Sequence, residues 1–286
     1  MAAKFVNPIV LVQSVAPGRT ATVRPEVGRR INKILLKVQA TAQVANQIID
    51  TITVKVGGVP QRTMTPDELD CEYRLMGENS SAQYAIQQNT AGSEIHIPIW
   101  FREPWRKGLQ TARILGWNTG DVAEDEFVVE VKLLSSAAAD VTLDAEVEYD
   151  NPVDQQGKAL PMGDIVKWYE EDVEITGVEK KWPLQKFDSL ISCTFHDADI
   201  DKLELFVGDV TVRTLYEASN QSHLTGDGMT PQASKFHLVL DHDDDLLSAI
   251  PLENQKNAYV KLTLADGTPR NIRALLQRVG RRDGEK

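Results

Sequence analysis

The chain has 286 residues, a length that exceeds one small β-sandwich and suits two cores of about 130–150 residues each. Hydrophobic residues make up 42% and charged residues 26%, which excludes a disordered or fibrous chain. The formal net charge of −11 repels phosphate and argues against specific nucleic-acid binding by the surface as a whole.

In chain order, β-branched residues alternate with polar ones over short runs closed by Gly, Pro, Asn or Asp, the pattern of half-buried strands. Such runs cover 20–24, 34–39, 49–56, 94–100, 126–134 and 141–149. After a break they resume at 172–176, 190–195, 202–207, 235–240, 258–264 and 271–276. Helical patterning is short: 64–76, 215–220 and 163–171 each have room for a helix. The class is mainly β, with a few short helices.

Between Tyr149 and Val173 the strand pattern stops, and 150–163 is rich in turn formers. The expected division is a sandwich over 1–150, a linker over 151–164 and a second sandwich over 165–286. No Ser-rich linker accompanies the break, so the two units are expected to be held against each other.

An internal repeat supports that division. Residues 49–64 align without gaps on 200–215. Ile49, Asp50, Val56, Gly57, Val59, Arg62 and Thr63 meet identical residues, and Ile52, Val54 and Met64 meet apolar ones. Gly57-Gly58 and Gly208-Asp209 read as hairpin turns. A weaker match, 94–99 on 235–240, follows in the same order, and then 127–133 matches 259–264. Duplication of a whole sandwich accounts for both.

Chemistry leaves few marks. The five histidines, His96, His196, His223, His237 and His242, show no metal-site spacing. Nucleophile elbow, Walker loop and dinucleotide fingerprint are all missing, so no enzyme is expected. His96 and His237 are expected at equivalent strand positions in structural hydrogen bonds. The acidic run 241–245, with Asp241, Asp243, Asp244 and Asp245, could offer oxygens to calcium, although a solvated acidic turn is commoner. No cofactor is otherwise expected. Cys71 and Cys193, one per unit, do not make a disulfide framework. Met1 to Lys4 lack a signal-peptide pattern, and no apolar run reaches the roughly 20 residues of a membrane span, so synthesis in a cytoplasm is the expectation. The basic tail, Arg278, Arg281 and Arg282, reads as a solvated end that could touch a genome or a lipid surface.

The segment Trp100-Phe101-Arg102-Glu103-Pro104-Trp105-Arg106-Lys107-Gly108, with Trp117 downstream, gathers three of the five tryptophans beside cations. Such a cluster suits an interface hot spot or a buried anchor, and Trp100, Phe101, Trp105 and Arg106 are the candidate interface residues. Stacking on sugars is the alternative, which would make the chain a tandem β-sandwich carbohydrate-binding protein.

The stretch 101–108, then 130–133 and the alanines 137–139, resembles the double jelly-roll major capsid proteins of corticovirus-type bacteriophages, which are tailless, icosahedral and membrane-containing. Strand order and tandem layout agree with that family across nearly the whole chain. The resemblance implies two tandem jelly-roll sandwiches and homotrimers that form pseudo-hexagonal capsomers of an icosahedral virion shell over an internal membrane. It implies partners among further copies, minor capsid or vertex proteins and the internal lipid. The tower insertions of larger relatives are missing.

Overall fold

The computed structural model of the chain describes residues 5–9, 15–76, 83–106, 116–196, 199–208, 210–232, 234–241 and 248–284. The alternating runs become strands because each can turn one row of side chains to a core and the other to water. The first half supplies β1 (Phe5–Ile9), β2 (Thr20–Val23), β3 (Arg30–Gln39), β4 (Ile49–Val56), β5 (Val59–Met64), β6 (Ile95–Trp100), β7 (Trp117–Asn118), β8 (Phe127–Leu133) and β9 (Thr142–Asp150). Two helices interrupt it, α1 (Ala45–Ile48) and α2 (Pro66–Met76). The second half supplies β10 (Ile165–Ile175), β11 (Glu179–Pro183), β12 (Ser189–Phe195), β13 (Ile200–Val207), β14 (Val210–Tyr216), β15 (Phe236–Val239), β16 (Ile250–Pro251), β17 (Ala258–Leu264) and β18 (Arg270–Gly280), with α3 (Glu217–Gly226) after β14.

In the first half the sheet orders are β1-β9-β3-β6, with β7 also on β3, and β2-β8-β4-β5. In the second they are β10-β18-β12-β15, with β16 also on β12, and β11-β17-β13-β14. Every strand of the second half thus occupies the place of a strand nine earlier, and each half is a jelly roll. One parallel bridge, Arg62 to Trp168, joins β5 to β10 and fuses one sheet from each half.

The repeat extends to irregularities. Val54 faces Arg62 and the register slips between Val54 and Lys55; Leu205 faces Arg213 and the register slips between Leu205 and Phe206. A second slip, between Ile49 and Thr51 against β8, recurs between Ile200 and Lys202 against β17. Gly57 and Gly208 both take positive φ, 59° and 65°, which a residue without Cβ adopts at little cost in these turns. Asp209 lies outside the described residues.

Three sequence expectations need correction. Residues 163–171 do not form a helix, since Ile165 begins β10. The run Ile165 to Trp168 is buried throughout, with Ile165, Val166 and Trp168 in the core of the first half and Lys167 paired with Asp188 and Asp283, which erases the alternation that marks a strand. The helix expected over 215–220 begins at Glu217 and extends to Gly226, because Leu215 and Tyr216 still pair with β13. β11 is missing from the expected strands, because its run Glu-Lys-Lys-Trp-Pro shows little apolar alternation. By contrast, α2 starts where Thr65 and Glu68 make a capping box, with Thr65 N–H donating to Glu68 Oε2 (2.7 Å) and Glu68 N–H to Thr65 Oγ1 (3.2 Å), and Pro66 takes the first helical position.

Candidate functional site

The place where the chain's polar groups converge is the seam between the halves. α2 is wedged there. Glu68 meets Arg273 (2.5 Å), which also pairs with Glu170; Gln277 donates to Glu72 Oε2 (2.7 Å); the Leu75 carbonyl accepts from Thr230 N–H (3.0 Å); and the Tyr73 ring lies edge-on to Trp168. Beside it, Arg62 is buried. Its Nε donates to the Val166 carbonyl (2.8 Å) and its Nη1 to the Trp100 carbonyl (2.5 Å), while Phe101, Trp117 and Trp168 surround the guanidinium at 5.1–5.4 Å. Burial lowers its pKa from the ordinary arginine value, and the ring faces and two carbonyls offset that cost. Sequence reading used Arg62 only as a repeat marker. Its seam role had no local signal, since the partners lie on distant strands.

The candidate interface residues are placed inside the single chain. Trp100 is half-buried, with its indole N–H on the Tyr84 carbonyl (3.0 Å) and Lys33 above its ring. Phe101 is fully buried against Trp117 and Phe127. Trp105, 8% exposed, packs on Tyr73 and Tyr84. Arg106 is buried and pairs with Glu103 and, across the seam, with Asp241. Burial works against its charge, yet the two carboxylates outweigh it and hold its pKa above the ordinary value. Its side chain is shielded from water on all sides. Lys107 and Gly108 lie outside the described residues. With Trp105 and Trp117 buried, those rings cannot serve as an open sugar platform.

Two other sequence features change meaning. Asp241 is buried with Arg106, and Asp243, Asp244 and Asp245 lie outside the described residues, as does His242. Arg278 is not part of a solvated tail. It is fully buried in β18, donates to the Gln185 and Phe187 carbonyls (2.8 and 3.1 Å) and lies over the Phe187 ring. Arg281 is exposed, and Arg282 meets Asp121 at 3.2 Å. Asp283 ties the chain end across the seam: its N–H donates to Gln61 Oε1 (2.8 Å), and its carboxylate takes Lys167 Nζ (2.8 Å) and the Tyr169 hydroxyl (2.7 Å).

Cys71, Glu72 and His237 form the one close group of metal-ligating side chains among the described residues. Burial pushes Glu72 up to about 7 and His237 down to about 3, so the imidazole is neutral. His237 Nε2 accepts from the Gln232 N–H (3.2 Å) and Nδ1 meets Thr194 Oγ1 (3.0 Å), which leaves neither nitrogen for a metal. The structural role expected for His237 holds. His96 is not at the equivalent place, contrary to expectation: Phe101 N–H donates to the Asn32 carbonyl as Leu240 N–H does to that of Ile191, which puts Pro98 at the place of His237, while His96 is less buried and pairs with Glu94 (2.8 Å).

Several strands border a sheet with one partner, and two of them stand out. β14 borders its sheet with β13 as its one partner, and β1 borders its sheet with β9. Among the described residues, four of the six exposed large hydrophobics lie on these strands: Val210, Val212 and Tyr216 on β14 and Val6 on β1. No helix among the described residues is long and apolar enough to cross a membrane.

Known proteins agree with this architecture. The family described as viral coat protein P2 N-terminal domain matches residues 6–150. No curated protein sequence matches the chain. The crystal structure of the major capsid protein P2 from bacteriophage PM2 is similar over 99% of this chain and 100% of that one, with a TM-score of 0.81 at 14% identity. The PBCV-1 virus capsid protein is similar over 97% and 93%, with a TM-score of 0.69 at 10% identity. The STIV major capsid protein covers 97% and 96%, with a TM-score of 0.64 at 10% identity. At these identities the structures speak for the fold, and the family match carries the function. The chain belongs to the viral coat protein P2 family and is a major capsid protein of the double jelly-roll lineage, a structural component of the virion and not an enzyme.

Proposed function

We propose that three copies of this chain close into a pseudo-hexagonal capsomer, and that capsomers tile an icosahedral shell over an internal membrane. The observation that carries this reading is the junction of β5 with β10. Two equivalent sandwiches are joined edge to edge, the last strand of one sheet in the first half against the first strand of the second. Repetition of such a head-to-tail junction between copies generates a ring, and six equivalent units come from three chains. The division into 1–150, a linker over 151–164 and 165–286 belongs to this proposal. The linker lies along the first sandwich: the Leu160 carbonyl accepts from Gly120 N–H (3.0 Å) and Met162 N–H donates to Asp121 (2.7 Å). Likeness to coat proteins of membrane-containing phages supports lipid and minor capsid or vertex proteins as further partners.

Light scattering on the purified protein tests the reading. A species of three chain masses is expected, and a monomer that persists as concentration rises would count against it.

A further inference from the structure

The two open edges, β14 and β1, are related to the internal junction by the repeat itself. β14 is the counterpart of β5, with Arg213 at the place of Arg62, Val212 at that of Gln61 and Val210 at that of Val59. β1 is the counterpart of β10. Phe101 N–H donates to the Asn32 carbonyl as Leu240 N–H does to that of Ile191, and the register slips after Ile31 against β9 as it slips after Leu190 against β18, so Ile31 matches Leu190. Their partners match in turn, Tyr149 with Arg278. Phe5 therefore matches Lys167, Val6 matches Trp168 and Pro8 matches Glu170.

At the internal junction Gln61 and Arg62 are buried and Val59 is partly covered. Arg62 donates to the Val166 carbonyl, Gln61 bonds the backbone of Asp283, and Val59 touches Gly284. On β14 the same positions face water. Arg213 is exposed and makes no hydrogen bond or ion pair with any described residue, while Val210 and Val212 are 65% and 41% exposed. Val6, at the place of Trp168, is 58% exposed.

We infer that β14 of one copy docks on β1 of the next, in the geometry by which β5 docks on β10, with Arg213 set opposite Val6 of the neighbouring copy as Arg62 is opposite Trp168, and donating to the backbone of that strand. The inference rests on the trimeric reading above and names the surface that closes the ring. Its occupant is a second copy of this chain, because the chain itself carries both the edge and its complement. Pro8, at the place of Glu170, has no N–H to donate, so this contact depends on Arg213 and apolar side chains more than on a strand ladder. The same proline protects β1 from indiscriminate strand pairing before assembly.

A photo-crosslinking benzophenone residue at position 212 tests the docking, with adducts mapped by mass spectrometry on the oligomer. Adducts on residues 5–9 of another copy are expected. Arg213→Ala should raise the dissociation constant of the trimer about tenfold or more, the loss of one charge-assisted hydrogen bond per contact, and leave the melting temperature of the monomer unchanged. A trimer whose adducts map elsewhere, or whose dissociation constant Arg213→Ala does not change, overturns the inference and leaves the trimeric reading standing. A wild-type protein that stays monomeric overturns both.

Discussion

Arg106→Met is the substitution that most sharply separates a buried seam from a surface ion pair. The guanidinium lies between Glu103 and Asp241, and all three side chains are almost completely withdrawn from water. Methionine keeps most of the volume and removes the charge, so two carboxylates would face each other in a dry site. Removal of one partner from a buried pair costs about 3–5 kcal/mol, whereas an exposed pair contributes about 0–1 kcal/mol. The stranded carboxylates can relieve the penalty by taking up protons, which becomes easier as pH falls. Urea denaturation at pH 7 should therefore show a loss of about 3–5 kcal/mol, and at pH 5 a smaller one. Adding Glu103→Gln and Asp241→Asn to the same chain should recover most of the loss at pH 7. A loss below about 1 kcal/mol at pH 7 would refute the reasoning, because it is what an exposed pair gives.

Trp105→Ala removes a ring that packs on Tyr73 and Tyr84 and should cost about 3–5 kcal/mol in the same denaturation assay; a cost under about 1 kcal/mol would place the ring outside the core. Glu72→Gln probes pH dependence. Burial, resisted by hydrogen bonds from Thr194 and Gln277, raises the folded carboxyl to about 7 from an ordinary 4.5. Between those values the folded chain keeps a proton that the unfolded chain releases. The stabilisation is thus full below pH 4.5 and is lost as pH rises through 7, to the extent of about 3 kcal/mol. The variant should gain on the wild type by roughly that amount between pH 4 and pH 8. Parallel stability curves would contradict the assignment.

The sequence makes the fold legible where strands have one wet face. Runs such as Phe127–Leu133 and Ala258–Leu264 alternate cleanly because each lies between a core and solvent. β10 was misread for the opposite reason, since the run Ile165 to Trp168 is buried throughout. The hairpin repeat was readable because Gly57 and Gly208 fix the turns and the identical residues flank them. The site was less legible. Trp105 and Arg106 were singled out by composition, but whether they face water or a second sandwich depends on Asp241 and Tyr73, which no local pattern connects to them. Arg278 shows the same limit: three arginines near the chain end look like a basic tail, yet the first is the buried end of a strand.

Electron microscopy of the purified oligomer, viewed down its axis, tests the central claim most directly. Because each chain carries two equivalent sandwiches joined edge to edge, the account predicts six lobes arranged with threefold symmetry, two lobes per chain. An oligomer with twofold symmetry, or isolated two-lobed particles at the highest attainable concentration, would contradict it.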